Sequence, residues 1–162
     1  MTRPALAAAL LLLTACGDGG GTAAKPAGAQ AGPAPVAVDK AAVLASLPAP
    51  YDSADLDNGR RVFARCRACH TITEGGPNMT GPNLYGVFGR EAGEKEGYNY
   101  STALREAEFT WDAEQLDHWL ENPREFLRGN KMSFPGIPDA ADRRDLIAFL
   151  KVETGYAPAA ED

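Results

Sequence analysis

The sequence is sparing with the residues that most often carry chemistry. Its 162 residues include three cysteines, two histidines and three methionines. Three cysteines are too few for a disulfide-built scaffold. Basic side chains are also scarce, 16 Lys and Arg against 22 Asp and Glu for a net charge of −6, which argues against nucleic acid as a partner. No apolar run reaches the roughly 20 residues that a membrane-crossing helix needs. Sustained alternation of apolar and polar residues is missing too, so no sheet is expected.

What there is of cysteine and histidine is concentrated. Two cysteines and one histidine stand together as Cys66-Arg67-Ala68-Cys69-His70. A C-x-x-C-H pentad reads as a site of covalent c-type haem attachment. At the end of a helix, positions three and four apart share a face. Cys66 and Cys69 can then bond the two vinyl groups of one porphyrin, with His70 directed at the iron. Other chemistries fit less well. A zinc site needs four ligands in a tetrahedron, and adjacent Cys69 and His70 would strain to serve one ion, with only Cys16 and His118 to complete it. A thioredoxin-like pair requires a βαβ pattern that is absent here. A structural disulfide remains the third option.

In chain order, residues 1–15 read as a signal peptide: Arg3, then the apolar run Ala5 to Leu13. The run ends in Leu13-Thr14-Ala15-Cys16, which resembles a bacterial lipobox. That likeness implies cleavage before Cys16 and lipidation of its sulfur. Residues 16–50 form an Ala/Gly/Pro-rich linker with little apolar surface to bury, spanning roughly 30–35 Å as a coil. Within it, Val38 to Leu47 is a weak helix pattern behind Asp39. The folded domain is expected over 51–156, followed by a tail at 157–162.

Ser53 is the expected N-cap of a first helix that carries Leu56, Gly59, Phe63 and Cys66 at helical spacing. Gly59 costs about 1 kcal/mol there relative to Ala. It is either tolerated or required by the close approach of another helix. Residues 71–100 show no period and read as a long loop. Such a loop is acceptable if it packs on a cofactor rather than on other chain. Ser101 to Glu108 predicts two helical turns. Asp112 with Gln115 caps a helix bearing Leu116, Trp119 and Leu120, which Pro123 closes, and Arg124 to Arg128 predicts another short helix. A last helix starts at Asp139, carries Leu146, Phe149 and Leu150, and stops at Gly155. The expected fold class is all-α, four or five short helices around one haem. So small a core needs the apolar cofactor at its centre.

Met79 and Met132 are the only methionines beyond the start. Met132 lies in Gly129-Asn130-Lys131-Met132-Ser133-Phe134-Pro135-Gly136, a loop bounded by glycine and proline that can hold a thioether in place. Met132 is therefore the expected second axial ligand. His118 lies one position off its helix's apolar stripe and is expected to face solvent.

From about Gly59 to Val152 the chain resembles class I cytochrome c of the mitochondrial and bacterial c2 type. The pieces that carry the likeness are the haem pentad, Thr80-Gly81-Pro82-Asn83-Leu84, Phe88-Gly89-Arg90, Gly97-Tyr98-Asn99-Tyr100, Thr110-Trp111, Trp119 through Glu121-Asn122-Pro123, Gly129 to Phe134, and Arg144-Asp145-Leu146-Ile147-Ala148. The resemblance implies that the first and last helices cross, Gly59 and Phe63 against Leu146 and Phe149. It implies that the Pro82 carbonyl accepts the Nδ1 proton of His70. It further implies that Arg90, Tyr100 and Trp111 hold one haem propionate and that Asn130 serves the other. Two positions depart from the mitochondrial pattern. Trp119 replaces a tyrosine whose hydroxyl reaches the methionine sulfur, and Leu104 replaces an asparagine on a buried water.

Iron with His on one side and Met on the other has no open position, so one-electron transfer is expected rather than an enzyme activity. By resemblance the donor is a bc1-type quinol:cytochrome c reductase and the acceptor a terminal oxidase. The chain is expected to be a monomer, anchored by lipid on the periplasmic side of a bacterial membrane, the inner one. A haem peroxidase and a gas-binding sensor both need an open iron, and a structural lipoprotein needs no haem. Finally, residues 60–67 hold Arg60, Arg61, Arg65 and Arg67 with no acid, and residues 124–131 hold Arg124, Arg128 and Lys131 against Glu125. These segments flank the cysteines and the Met132 loop and are expected to frame the exposed haem edge, with Arg143 distant from them.

Overall fold

The computed structural model describes residues 39–157. The expected signal peptide, Cys16, most of the linker and residues 158–162 lie outside the described residues. The described residues form six α-helices: α1 Lys40–Ala45, α2 Leu56–Phe63, α3 Thr102–Arg105, α4 Ala113–Glu121, α5 Pro123–Phe126 and α6 Ala140–Glu153. A single 3-10 turn, Tyr51–Ser53, joins α1 to α2. Among the described residues the only β pairing is an isolated bridge between Glu91 and Thr110. The all-α expectation holds, and no helix there is long and apolar enough to cross a membrane.

Helix starts follow side-chain chemistry. Asp39, Asp55, Ser101, Asp112, Asn122 and Asp139 each accept a backbone N–H of the first turn. These caps satisfy donors that a helix cannot pair internally. The expected cap at Ser53 is displaced to Asp55, because Ser53 lies in the 3-10 turn and Asp55 Oδ1 takes Asp57 and Asn58 N–H at 2.9 Å each. The two turns expected over 101–108 shrink to the four residues of α3, and the short helix expected at Arg124 starts at Pro123.

Helix α6 is the centre of the fold. Leu146, Ile147 and Ala148 are wholly buried, and α6 packs against α2 and α4. Gly59 is needed for the first of these contacts. A Cβ at Gly59 would lie 2.2 Å from the Asp145 carbonyl oxygen and 2.6 Å from Phe149 Cβ. Beside it the Phe63 and Phe149 rings pack with centroids 5.6 Å apart. The same crossing buries Asp145, whose carboxylate accepts Asp55 N–H, Asn58 Nδ2 and the Arg144 guanidinium. Burial pushes this carboxyl up, but those hydrogen bonds outweigh it and hold the group below its ordinary value.

The linker boundary expected at residue 50 moves toward the N-terminus. Residues 39–54 fold as a strap over the domain: Leu47 (4% exposed) and Ala54 pack with Ala148, and Lys40 pairs with Glu153 at 2.5 Å. Ala148 is two positions from Leu146, which puts the strap on the far side of α6 from the residues facing the core.

Candidate haem site

The cysteine pentad continues the turn of α2. Beyond Phe63 the chain closes successive turns through Cys66 N–H to Phe63 O and His70 N–H to Cys66 O, at 2.8 and 3.0 Å. Cys66, Cys69 and His70 therefore arrive together on one wall of a cleft. Its empty volume is about 1330 Å³, open mouth included. Apolar side chains from α2, α3, α4 and α6 line it, Phe63, Leu104, Leu116, Trp119, Leu146 and Leu150 among them. Met132 and Phe134 form part of the same lining, from the 129–136 loop. The 71–100 segment, without helix or strand, contributes Gly81, Pro82, Leu84, Val87, Arg90 and Tyr98.

His70 is held in one tautomer. Its Nδ1 lies 2.8 Å from the Pro82 carbonyl oxygen, an atom that can only accept, so Nδ1 carries the proton and Nε2 keeps a lone pair. Burial lowers the imidazole's proton affinity, with the Pro82 bond acting the other way, so the ring is neutral at pH 7. Gly81 presses on the ring, since a Cβ there would sit 2.3 Å from His70 Cε1. Burial also pushes the Cys66 thiol up to about 11, against the opposing charge of Arg65. The two thiols are not joined to each other.

Arg90, Tyr100 and Trp111 line the cleft as well. The Arg90 guanidinium is half-buried and donates to Tyr85 O at 3.2 Å, and no carboxylate of the described residues pairs with it. A sheltered cation without an anion partner, beside buried Tyr100 and Trp111, suits an incoming carboxylate. Leu104 and Trp119 both face the cleft, so the two departures from the mitochondrial pattern are apolar contributions to its wall. His118 is exposed, as expected.

The structure disagrees with the sequence reading of Asn130. It does not line the cleft. Its Nδ2 donates to Pro123 O and Leu127 O at 2.7 and 2.8 Å, and its Oδ1 accepts Met132 N–H at 2.9 Å. With both amide protons engaged it has none to offer a propionate. Arg143, expected to lie distant from the basic segments, is not a free surface charge. It is buried (6% exposed), chelates Asp117 at 2.8 and 3.2 Å, and donates to the Ile137 and Pro138 carbonyls. Sequence spacing alone gives no sign of either role.

The residues present fit a c-type haem: two thiols, one neutral imidazole and one thioether on a single apolar cleft, with a cation in its lining that no carboxylate of the described residues pairs. The family model for cytochrome c matches residues 56–152. The chain belongs to the cytochrome c family. Cytochrome c of Kluyveromyces lactis is 40% identical over 105 residues, covering 64% of this chain and 96% of that protein. A cytochrome c homolog of Bradyrhizobium diazoefficiens is 42% identical over 99 residues, 60% of this chain and 54% of the other. Among solved structures, cytochrome cH from Methylobacterium extorquens is similar at 44% identity and a TM-score of 0.57, covering 60% of this chain and 97% of that one. As a cytochrome c the chain is an electron carrier with one covalent haem c, not an enzyme. The strap at 39–54 lies outside the region the family model matches.

Proposed function

We propose that Cys66 and Cys69 attach the haem, that His70 and Met132 fill both axial positions, and that the chain shuttles single electrons from a bc1-type quinol:cytochrome c reductase to a terminal oxidase. The observation that carries this reading is the convergence of those four side chains on one apolar cleft. When bound, haem supplies an iron that exchanges one electron between Fe(III) and Fe(II). The chain's residues set the terms of that exchange. His70 offers Nε2 because Nδ1 is committed to Pro82. Met132 offers a soft, neutral thioether that favours the reduced state, and the apolar wall keeps out the water that would favour the oxidised one. Arg90, with Tyr100 and Trp111, would hold a haem propionate through charge-assisted and neutral hydrogen bonds. With both axial positions filled, no peroxide or gas has a vacant site, which disfavours the peroxidase and sensor readings.

Cys16 is proposed to carry a diacylglycerol that tethers the carrier at the periplasmic face of the inner membrane. The tether keeps it near its partners at high local concentration. Substituting Met132→Ala tests the core of the proposal. Oxidised protein is expected to show the far-red sulfur-to-iron charge-transfer band and the variant to lose it. A band that survives the substitution would exclude Met132 as the ligand.

A further inference from the structure

Residues 131–136, which carry Met132, are tied to the fold by few bonds. Among the described residues, one backbone N–H in this stretch makes a hydrogen bond, and it is that of Met132 itself, to Asn130 Oδ1 at 2.9 Å. At the far end the loop is anchored twice. Ile137 N–H donates to Leu120 O at 2.7 Å, and Arg143 holds the Ile137 and Pro138 carbonyls. At the near end Asn130 is the anchor. Its two amide protons go to Pro123 O and Leu127 O, carbonyls that bracket α5. Pro123 is fully buried, and Phe126 of α5 packs on Trp111 and Trp119, which line the cleft. One side chain thus joins the backbone of Met132 to the helix that supports the cleft wall.

We infer that Asn130 is a positioning residue for the sulfur of Met132, setting how firmly the thioether holds its place against a competing small ligand. The inference rests on the reading of Met132 as axial ligand. The physical argument is one of local restraint. A flexible loop must lose backbone entropy to present a thioether at one point. The Asn130 bridge takes that loss during folding, because it fixes the backbone one bond away from the Met132 Cα. Lys131 contributes less, since its ammonium is exposed and donates to Asn99 O from the tip of a long side chain. The Asn130 to Met132 bond spans two residues, an Asx turn that serine reproduces more weakly. Serine therefore keeps the acceptor for Met132 N–H while discarding both donors to α5.

The test is imidazole titration of the oxidised, haem-loaded full chain, with far-red absorbance and thermal melting recorded in parallel. Asn130→Ala removes all three side-chain bonds and is expected to bind imidazole roughly three- to tenfold more tightly than the parent, about the worth of the one bond that acts directly on the Met132 backbone. Asn130→Ser is expected to fall between them. A lower melting temperature with imidazole affinity unchanged in both variants would make Asn130 merely structural and overturn the inference. Met132→Ala separates this failure from that of the parent reading. If Met132→Ala leaves both the band and the imidazole affinity unchanged, Met132 is not the ligand. If it abolishes the band while Asn130→Ala changes nothing, only the role of Asn130 falls.

Discussion

The Lys151 ammonium sits among three rings, 3.5 Å from the centroid of Tyr156, 4.6 Å from Phe88 and 5.8 Å from Tyr51. Only 4% of the residue is exposed, and no carboxylate of the described residues pairs with it. Two effects compete. The rings attract the cation, by about 0.5–2 kcal/mol per good contact. Burial works against the charge and pushes its pKa down to about 8, with the charge of Asp112 acting the other way. If burial wins, the unfolded chain binds this proton more tightly than the folded one, so stability rises as pH climbs from about 8 toward the ordinary lysine value near 10.4. Lys151→Met keeps an unbranched side chain in the cage without the charge. It is expected to flatten that slope in urea melts and to leave stability at pH 7 unchanged or higher by about 1 kcal/mol. An unchanged slope, or a loss of more than about 2 kcal/mol at pH 7, would show that the rings dominate. Residues of this kind were illegible in the sequence. Asn130, Arg143 and Lys151 take their roles from partners that only the fold assembles. The pentad and Met132 could be singled out because their proposed chemistry is tied to spacing or to a bounded loop, and the structure brings them to one cleft.

At the scale of elements, the α2–α6 crossing holds the cleft's back wall. Gly59→Ala gains up to about 1 kcal/mol of helix propensity, but its Cβ meets backbone at Asp145 that cannot give way. Overpacking of this sort costs about 1–3 kcal/mol, so the net expectation is a lower melting temperature. Each lost kcal/mol is worth about 4–8 °C in a domain of this size. A melting temperature equal to the parent's would mean that the helices can separate at no cost. The cap at Asp139 and the stop at Gly155 were readable from the residues, and Gly155 takes φ +73°, whereas the crossing was implied only by the family resemblance. The strap was not. Its burial rests on Leu47, Tyr51 and Ala54 meeting α6, a distant segment, while its own composition reads as linker. Asp55 displaced Ser53 as cap for a similar reason, since the 3-10 turn ahead of it depends on how the strap closes.

At the scale of the molecule, the net charge of −6 hides a local basic rim. Arg65 and Lys131 line the cleft, over the Phe134 and Tyr98 rings at 5.4 and 5.9 Å. Arg60 and Arg61, expected to share this role, lie within 3.5 Å of Asp57 and 3.8 Å of Asp55 and so present less free charge. Steering by the remaining rim is expected to speed encounter with an acidic partner, and salt to screen it over about 8 Å at physiological strength. In the full chain carrying Cys16→Ser, expected in the soluble fraction, Arg65→Glu and Lys131→Glu should each slow electron transfer to a membrane oxidase and flatten its salt dependence. Lys40→Glu, on the strap, is the control. An equal effect from Lys40→Glu would place docking elsewhere, and a Cys16→Ser chain still bound to membrane would contradict the lipid anchor. The most direct test of the whole account is the visible spectrum of the reduced protein, matured outside the cytoplasm, recorded before and after carbon monoxide. A covalently loaded carrier with both axial positions filled predicts a sharp c-type spectrum that the gas leaves unchanged. A spectrum shifted by carbon monoxide, or no Soret band at all, would contradict it.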